Sequence, residues 1–270
     1  MLYLCATPIG NLEDITLRVL RVLSEADIIA AEDTRHTLRL LNHFDIKKPM
    51  ISCHEHNERE SASKIMAILA EGKTVAYVSD AGMPGISDPG ALLVSACITA
   101  GLAFTVLPGA SASLTALVFS GINPAQFYFE GFLPRAAKDR AQRFKTLGTI
   151  DAALIIYESP LRLKATLKAL AEAFGNRRAA VMRELTKLYE EARRGTLETL
   201  AEYYAANEAR GECVIVVEGA ENIETPTDTA RAEALMKSLL EAGLRRKDAA
   251  RIASEHTGVS RNELYNLSLE

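Results

Sequence analysis

What this chain of 270 residues lacks narrows the answer before any motif does. It has no tryptophan and four cysteines, Cys5, Cys53, Cys97 and Cys213, none of them in a Cys-x-x-Cys pair. That excludes a zinc ribbon or a disulfide-stapled scaffold, and the thiols read as reduced and buried in a cytoplasmic protein. No metal is expected. The first strand-like run is followed by T-P-I-G-N, with one glycine where a dinucleotide fold carries G-x-G-x-x-G. A nicotinamide oxidoreductase is thereby the weakest reading, although Glu32 or Asp33 mimics its acidic ribose ligand. The longest apolar stretch, Ala91 to Phe104, is too short to span a bilayer. No basic segment leads into an apolar one at the start, so neither a signal peptide nor a membrane partner is expected. The most telling absence is local: no Lys, Arg or His occurs from Thr74 through Pro134.

What is present is ordinary in bulk: 48% hydrophobic residues, 24% charged, and a net charge of −4. The length suits two domains and a small appendage. With a negative net charge, any nucleic-acid partner has to be met by local basic patches.

Strand-like runs at Leu2 to Ala6, Asp27 to Ala31, Pro49 to Cys53, Thr74 to Val78 and Phe104 to Leu107 alternate with helical patterns, which describes an α/β domain with a largely parallel sheet over residues 1–121. Polar clusters follow the strands: Glu32-Asp33-Thr34-Arg35 after the second and His54-Glu55-His56-Asn57 after the third. Asn57 is placed to cap the next helix, with Glu60 completing a box and Gly72 closing the far end. Gly121-Ile122-Asn123-Pro124 reads as a junction. A second α/β domain is expected over residues 122–222, with strands near Phe127 to Phe132, Ala153 to Tyr157, Ala179 to Arg183 and Glu212 to Glu218, and with Ser159-Pro160 opening a helix. Residues 223–270 read as a linker and three short helices, a helix-turn-helix-like tail made basic by Arg245, Arg246 and Lys247.

The stretch S-D-A-G-M-P-G-I-S-D-P-G, Ser79 to Gly90, organises the rest. It follows the fourth strand, where open α/β sheets place ligands. Its glycines allow close main-chain approach, its prolines stiffen the loop, and Asp80 and Asp88 are its carboxylates. A phosphate cradle normally adds a cation. This neutral, glycine-lined surface suits a neutral or positively charged ligand instead. The alternative is a tight connection that binds nothing, and on either reading Asp88 is an N-cap or turn-former before Pro89.

Taken together, TPIGNLEDIT, AEDTR, HEHNE, SDAGMPGISDPG, LPGASA and GFLPR, in this order and spacing, resemble the tetrapyrrole-methylase-like (class III) methyltransferases. Within that class the resemblance is to enzymes that use S-adenosylmethionine to 2′-O-methylate a decoding-centre cytidine of 16S ribosomal RNA. It covers essentially the whole chain. It implies two α/β domains with the donor in the cleft between them, a homodimer, and 16S rRNA or the small ribosomal subunit as partner. Carried over by position, donor contacts are Pro8, Ile9, Gly10, Asp80, Gly82, Met83, Pro84, Gly85, Ser111 and Ala112, with Tyr157 and the strand ending near Gly219 from the second domain. A sulfonium cation without phosphate agrees with a loop free of basic residues.

A ribose hydroxyl is a poor nucleophile until its proton leaves, so a nearby base is useful. The candidates are Glu32, Asp33, His54 and His56, with Arg35 placed for an RNA phosphate. Against this, Asp33 and Arg35 also make sense as a structural ion pair. Arg135, Lys138, Arg140, Arg143 and Lys145 form the densest basic run and read as phosphate contacts, or else as a solvated helix face. The tail basics grip RNA or pack on a neighbour. Two rival functions remain open at this point: a sibling methylase acting on tetrapyrroles or a protein, and a non-catalytic RNA-binding or ribosome-assembly factor.

Overall fold

The computed structural model describes residues 1–54, 57–87, 89–220 and 229–266. The chain divides into two compact units, Met1–Gly219 and Ala220–Glu270.

The larger unit holds two five-stranded sheets. The first contains β1 (Leu2–Cys5), β2 (Ile28–Ala31), β3 (Met50–Ser52), β4 (Val75–Val78) and β5 (Phe104–Leu107), all parallel, in the order β3-β2-β4-β1-β5. Their apolar runs are continuous because both faces are covered, as a parallel sheet requires. One face packs Cys5, Ile29, Ala76 and Val78 on α1 (Leu17–Glu25) and α2 (Thr34–His43). The other packs Leu2, Leu4, Val75 and Tyr77 on α3 (Glu58–Ala70) and α4 (Ala91–Ala100). The expected parallel sheet is therefore found, with strand ends within about two residues of those read from the sequence. Asn57 does stand at the start of α3 but does not cap it. Its Oδ1 accepts the peptide N–H of His54 at 2.8 Å, and Glu60 pairs with Lys64 instead of closing a box.

The second sheet is mixed. It runs β6 (Phe127–Phe132), β7 (Ala153–Glu158), β10 (Cys213–Val217), β8 (Arg178–Arg183), β9 (Glu191–Thr196), with β10 antiparallel to both neighbours. One face is covered by α6 (Ala137–Leu147), α7 (Pro160–Phe174) and α8 (Leu197–Ala206). The other packs Ile155, Met182 and Val216 against Ile9 and against Ala116 and Leu117 of α5 (Ala112–Ser120), which joins the two sheets through one apolar cluster. Ser159 and Pro160 open α7 as expected. Strand β9 was not legible in the sequence. Its run E-A-R-R-G-T has no apolar alternation, because it is an edge strand held by the ladder to β8 and by Arg183 and Glu191 at 3.0 Å.

The smaller unit consists of α9 (Thr229–Glu241), α10 (Arg246–Thr257) and α11 (Arg261–Asn266), packed around Ala232, Met236, Ala249, Ala253, Val259 and Leu264. These are the three helices the tail pattern implies.

Candidate active site

The loops after β1 and β4 leave adjacent parallel strands and are stitched together. Thr7 and Gly82 exchange both peptide hydrogen bonds, at 2.9 and 3.0 Å, and the Thr7 hydroxyl donates to the Ser79 carbonyl at 3.2 Å. Gly82 has φ +78°, and a Cβ there would press on Ile9, so only glycine lets these loops close up. Gly109, in the loop after β5, lies so close to Ala6 that a Cβ would stand 2.7 Å from the alanine Cβ.

These loops form one wall of a cleft of about 360 Å³, within the size range of small-molecule sites. Ile9, Gly82, Met83, Ser111 and Ala112 line it from the first sheet, and Phe132, Tyr157, Glu158 and the start of β10 from the second. No Lys, Arg or His is among its lining residues. The β10 contribution comes from Gly211 to Val214, the beginning of the strand and not its end near Gly219, because β10 runs antiparallel to β7. Cys213 lies in the wall with its thiol pushed up to about 11 by burial, and so stays neutral. Glu158 is 2% exposed; its side chain accepts from the Thr166 hydroxyl at 2.6 Å and the Ser159 peptide at 2.9 Å and lies 3.2 Å from Arg162.

Of the expected donor contacts, Ile9, Gly82, Met83, Ser111, Ala112 and Tyr157 face this cleft. Pro8, Gly10, Pro84 and Gly85 shape the loops without lining it. Gly10 is covered by Lys187, whose ammonium pairs with Glu184 and Glu212 at 2.9 Å each. The residue before the lining stretch, Asp80, belongs to a second hollow.

That second hollow, of about 430 Å³, is polar and is lined by Glu32, Asp33, Thr34, Arg35, Ser52, His54 and Asp80. Since Asp80 lines one hollow and Ala81 the other, the two hollows adjoin along the central loop. The structure thus brings Glu32, Asp33, Arg35 and His54 together, as the polar clusters implied, while His56 and Asp88 lie outside the described residues. Arg35 grips both oxygens of Asp33, at 3.2 and 2.9 Å, and the Asp33 carboxyl is held down to about 2 by this pairing. The ion pair weighed against a catalytic role is therefore present. A carboxyl so acidic is a weak proton acceptor at neutral pH.

The basic run at 135–145 divides. Arg135 and Lys138 are exposed, and neither makes an ion pair among the described residues. Arg140 reaches back to the Arg135 carbonyl at 3.4 Å, and Lys145 is exposed. Arg143 points inward: it holds Glu130, whose side chain is 7% exposed, at 2.6 Å and also the Tyr128 hydroxyl, so its charge is already matched. Arg245, Arg246 and Lys247 are exposed at the start of α10, with Arg246 over the Tyr265 ring at 5.9 Å.

Sequence reasoning did not single out Phe132, Glu158, Glu212 or Val214 as part of the site. Glu158 had a signal, since a glutamate ending the apolar run Ala152 to Tyr157 before Ser-Pro stands at a strand's ligand-facing end. Glu212 and Val214 had none, because only the direction of β10 brings them there.

Residues 1–201 match the family described as Tetrapyrrole (Corrin/Porphyrin) Methylases, and residues 226–270 match the RsmI C-terminal HTH domain. The chain is similar over nearly its whole length to curated proteins named ribosomal RNA small subunit methyltransferase I. Identity is 46% with that of Halalkalibacterium halodurans (98% of this chain, 93% of the relative) and 45% with that of Synechocystis (100% and 98%). Among solved structures, it resembles a diphthine synthase (TM-score 0.64, 16% identity, 81% of this chain and 89% of that one). It also resembles the uroporphyrin-III C-methyltransferase of Thermus thermophilus complexed with S-adenosyl homocysteine (TM-score 0.56, 17% identity, 80% and 96%). At such identities the structural likeness carries the fold alone.

Proposed function

The chain belongs to the tetrapyrrole methylase family, and from that membership we propose that it is an S-adenosylmethionine-dependent methyltransferase acting on RNA of the small ribosomal subunit. The observation that carries the reading is the conjunction of full-length similarity to enzymes of that name with a cleft whose lining has no basic side chain.

The donor supplies an activated methyl group on a sulfonium centre. The cleft fits such a group: it is apolar, bounded by two carboxylates at Glu158 and Glu212, and lined by Ile9, Gly82, Met83, Ser111, Ala112 and Tyr157. Its neutral Cys213 is no competing nucleophile. The loops after β1 and β4 are joined by the two Thr7–Gly82 peptide hydrogen bonds, and positioning of reactants can recover about 7 to 11 kcal/mol of barrier.

The acceptor in this proposal is the 2′-hydroxyl of a decoding-centre cytidine. Glu32 or His54, in the polar hollow that adjoins the cleft at Asp80 and Ala81, takes the hydroxyl proton, and Asp80 and Asp33 hold the shape of that hollow. Replacing Glu32 by Gln and His54 by Ala, with single-turnover rates measured at saturating donor, identifies the base. A positioned base is worth about 10² to 10⁴ in rate, and a residue whose loss costs less than about tenfold is not it. Arg135, Lys138 and the tail cations Arg245, Arg246 and Lys247 supply the positive footprint that RNA requires of an acidic protein.

A tetrapyrrole substrate is disfavoured because a polycarboxylate would want cations along the cleft. A non-catalytic assembly factor is disfavoured because the full-length relatives are named as methyltransferases. Among the described residues no helix is long and apolar enough to cross a membrane. With the ribosome as substrate, the site of action is the cytoplasm. The enzyme works as a homodimer, for which the exposed apolar face of α5, Leu114 and Val118 with Phe119 beside them, offers a surface. Light scattering measures that state directly. The function itself is tested by incubating small subunits and their naked RNA with labelled donor and mapping the label. Label on a cytidine 2′-oxygen supports the reading, and label on protein, on a base or nowhere overturns it.

A further inference from the structure

We propose that Phe132 is the stacking platform for the base of the RNA nucleotide being methylated, turned into the cleft by a β-bulge. The inference rests on the methyltransferase reading and adds the residue that receives the substrate base.

In strand β6, F-Y-F-E-G-F, strict alternation puts Phe132 on the face of Tyr128 and Glu130 and away from Phe129. The ladder to β7 does not keep that alternation. Phe129 pairs with Ile155, but Gly131 pairs with Ile156 and Phe132 with Tyr157, so one extra residue is inserted between Phe129 and Gly131. Gly131, at φ +71°, takes the left-handed conformation the bulge needs. A one-residue insertion moves the following side chain to the opposite face. Phe132 thereby joins Phe129 and Tyr157 on the cleft side, its ring edge-on to Tyr157 with centroids 5.7 Å apart.

The bulge is held from both sides. Arg143 clamps Glu130, the residue at the insertion. Arg162 donates to the Leu133 carbonyl at 2.9 Å while pairing with buried Glu158. Yet the ring so carefully placed is 61% exposed. A phenylalanine at a cleft rim, fixed in orientation and left uncovered, is a preformed surface for a flat apolar partner. Exposed Arg135 and Lys138 follow three and six residues later, and an aromatic beside free cations is how proteins hold single-stranded nucleic acid. A ribose whose hydroxyl must reach the cleft has its base drawn out of the RNA stack, and a protein ring replaces the lost stacking.

The absence of tryptophan from the chain makes the test direct, since Phe132→Trp introduces a single indole. With full-length protein, Phe132→Ala is expected to weaken binding of small-subunit rRNA about tenfold and to slow single-turnover methylation, with a smaller loss of S-adenosylmethionine affinity by calorimetry. Phe132→Trp restores both, and its fluorescence is quenched by the RNA and not by the donor. Four results overturn the proposal: quenching by donor alone, which makes the platform an adenine seat; a changed oligomeric state, which makes it a subunit contact; RNA binding by Phe132→Ala equal to the parent's; or a Phe132→Trp indole unmoved by RNA. Parent protein that transfers no methyl to rRNA refutes the functional reading instead, so the two failures are distinguishable.

Discussion

The peptide N–H of Asp33 donates to Oδ1 of Asp80 at 3.0 Å, and the Asp80 peptide in turn donates to Glu32 Oε2 at 3.2 Å, so the ends of β2 and β4 are bolted together through the residues flanking the polar hollow. The Asp80 carboxylate is thus engaged with protein where it lines the polar hollow. Asp80→Ala frees the Glu32 to Asp33 corner, and a displacement of about 1 Å costs about 10²-fold in rate. The expected result is a rate loss far larger than the change in donor affinity by calorimetry. Lost donor affinity at a preserved single-turnover rate would return Asp80 to a donor contact.

The Asp33 carboxyl is lowered from its ordinary 3.8 to about 2, first by the Arg35 side chain and then by the Arg35 peptide. A depressed pKa means that its contribution to stability is present above about 3.8 and is lost as pH falls towards 2. Asp33 therefore stays ionised through the working range and cannot produce an inflection near neutrality. The rate against pH for Asp33→Asn should keep the inflections of the parent, whatever its absolute level. An inflection lost only in this variant would make Asp33 the base.

Arg143 and Lys138 sit on one helix but do different work. Removing Arg143 leaves the nearly buried Glu130 carboxylate without its partner, which costs about 3 kcal/mol and appears as a lower urea midpoint for Arg143→Ala. Lys138→Ala leaves the midpoint alone and lowers the slope of log affinity against log salt for rRNA by about 0.7 to 0.9, one phosphate contact. Equal effects of both variants on the salt slope would count against this division.

All four cysteines are buried, and none forms a disulfide among the described residues. Burial pushes the Cys5 thiol up to about 12 and Cys213 up to about 11, and raises Cys97 as well. Thiolate is the reactive form, so a thiol reagent at pH 8 should find no fast-reacting cysteine in the native protein and four after denaturation. Donor bound against Cys213 should slow the residual native reaction further. Rapid native labelling of Cys213 would mean that the cleft wall opens.

Much of the fold and of the cleft's character was written locally. The runs L-Y-L-C, V-A-Y-V and C-V-I-V-V are apolar on both faces and so declare buried strands by their composition alone. The absence of basic residues from Thr74 to Pro134 predicts a cleft wall without cations because that segment supplies the loops after β4 and β5. The convergence of Glu32, Asp33 and His54 was likewise readable, since each follows a parallel strand and parallel strands end at one rim.

Other features depend on pairing between distant segments, to which no local pattern is sensitive. The sequence cannot say that Asp80 and Ala81 face different hollows, that Arg143 turns in to Glu130, or that E-A-R-R-G-T is a strand at all. Nor can it say which end of C-V-I-V-V meets the cleft, because strand direction is a property of the ladder. By itself the sequence determined composition, the period of burial and the order of elements, which are sums over neighbours in the chain. Only the tertiary structure decided register, and register puts Phe132 beside Tyr157: one inserted residue reverses a side chain, and the free energy that holds the insertion comes from Arg143 and Arg162, 13 and 29 residues from their partners.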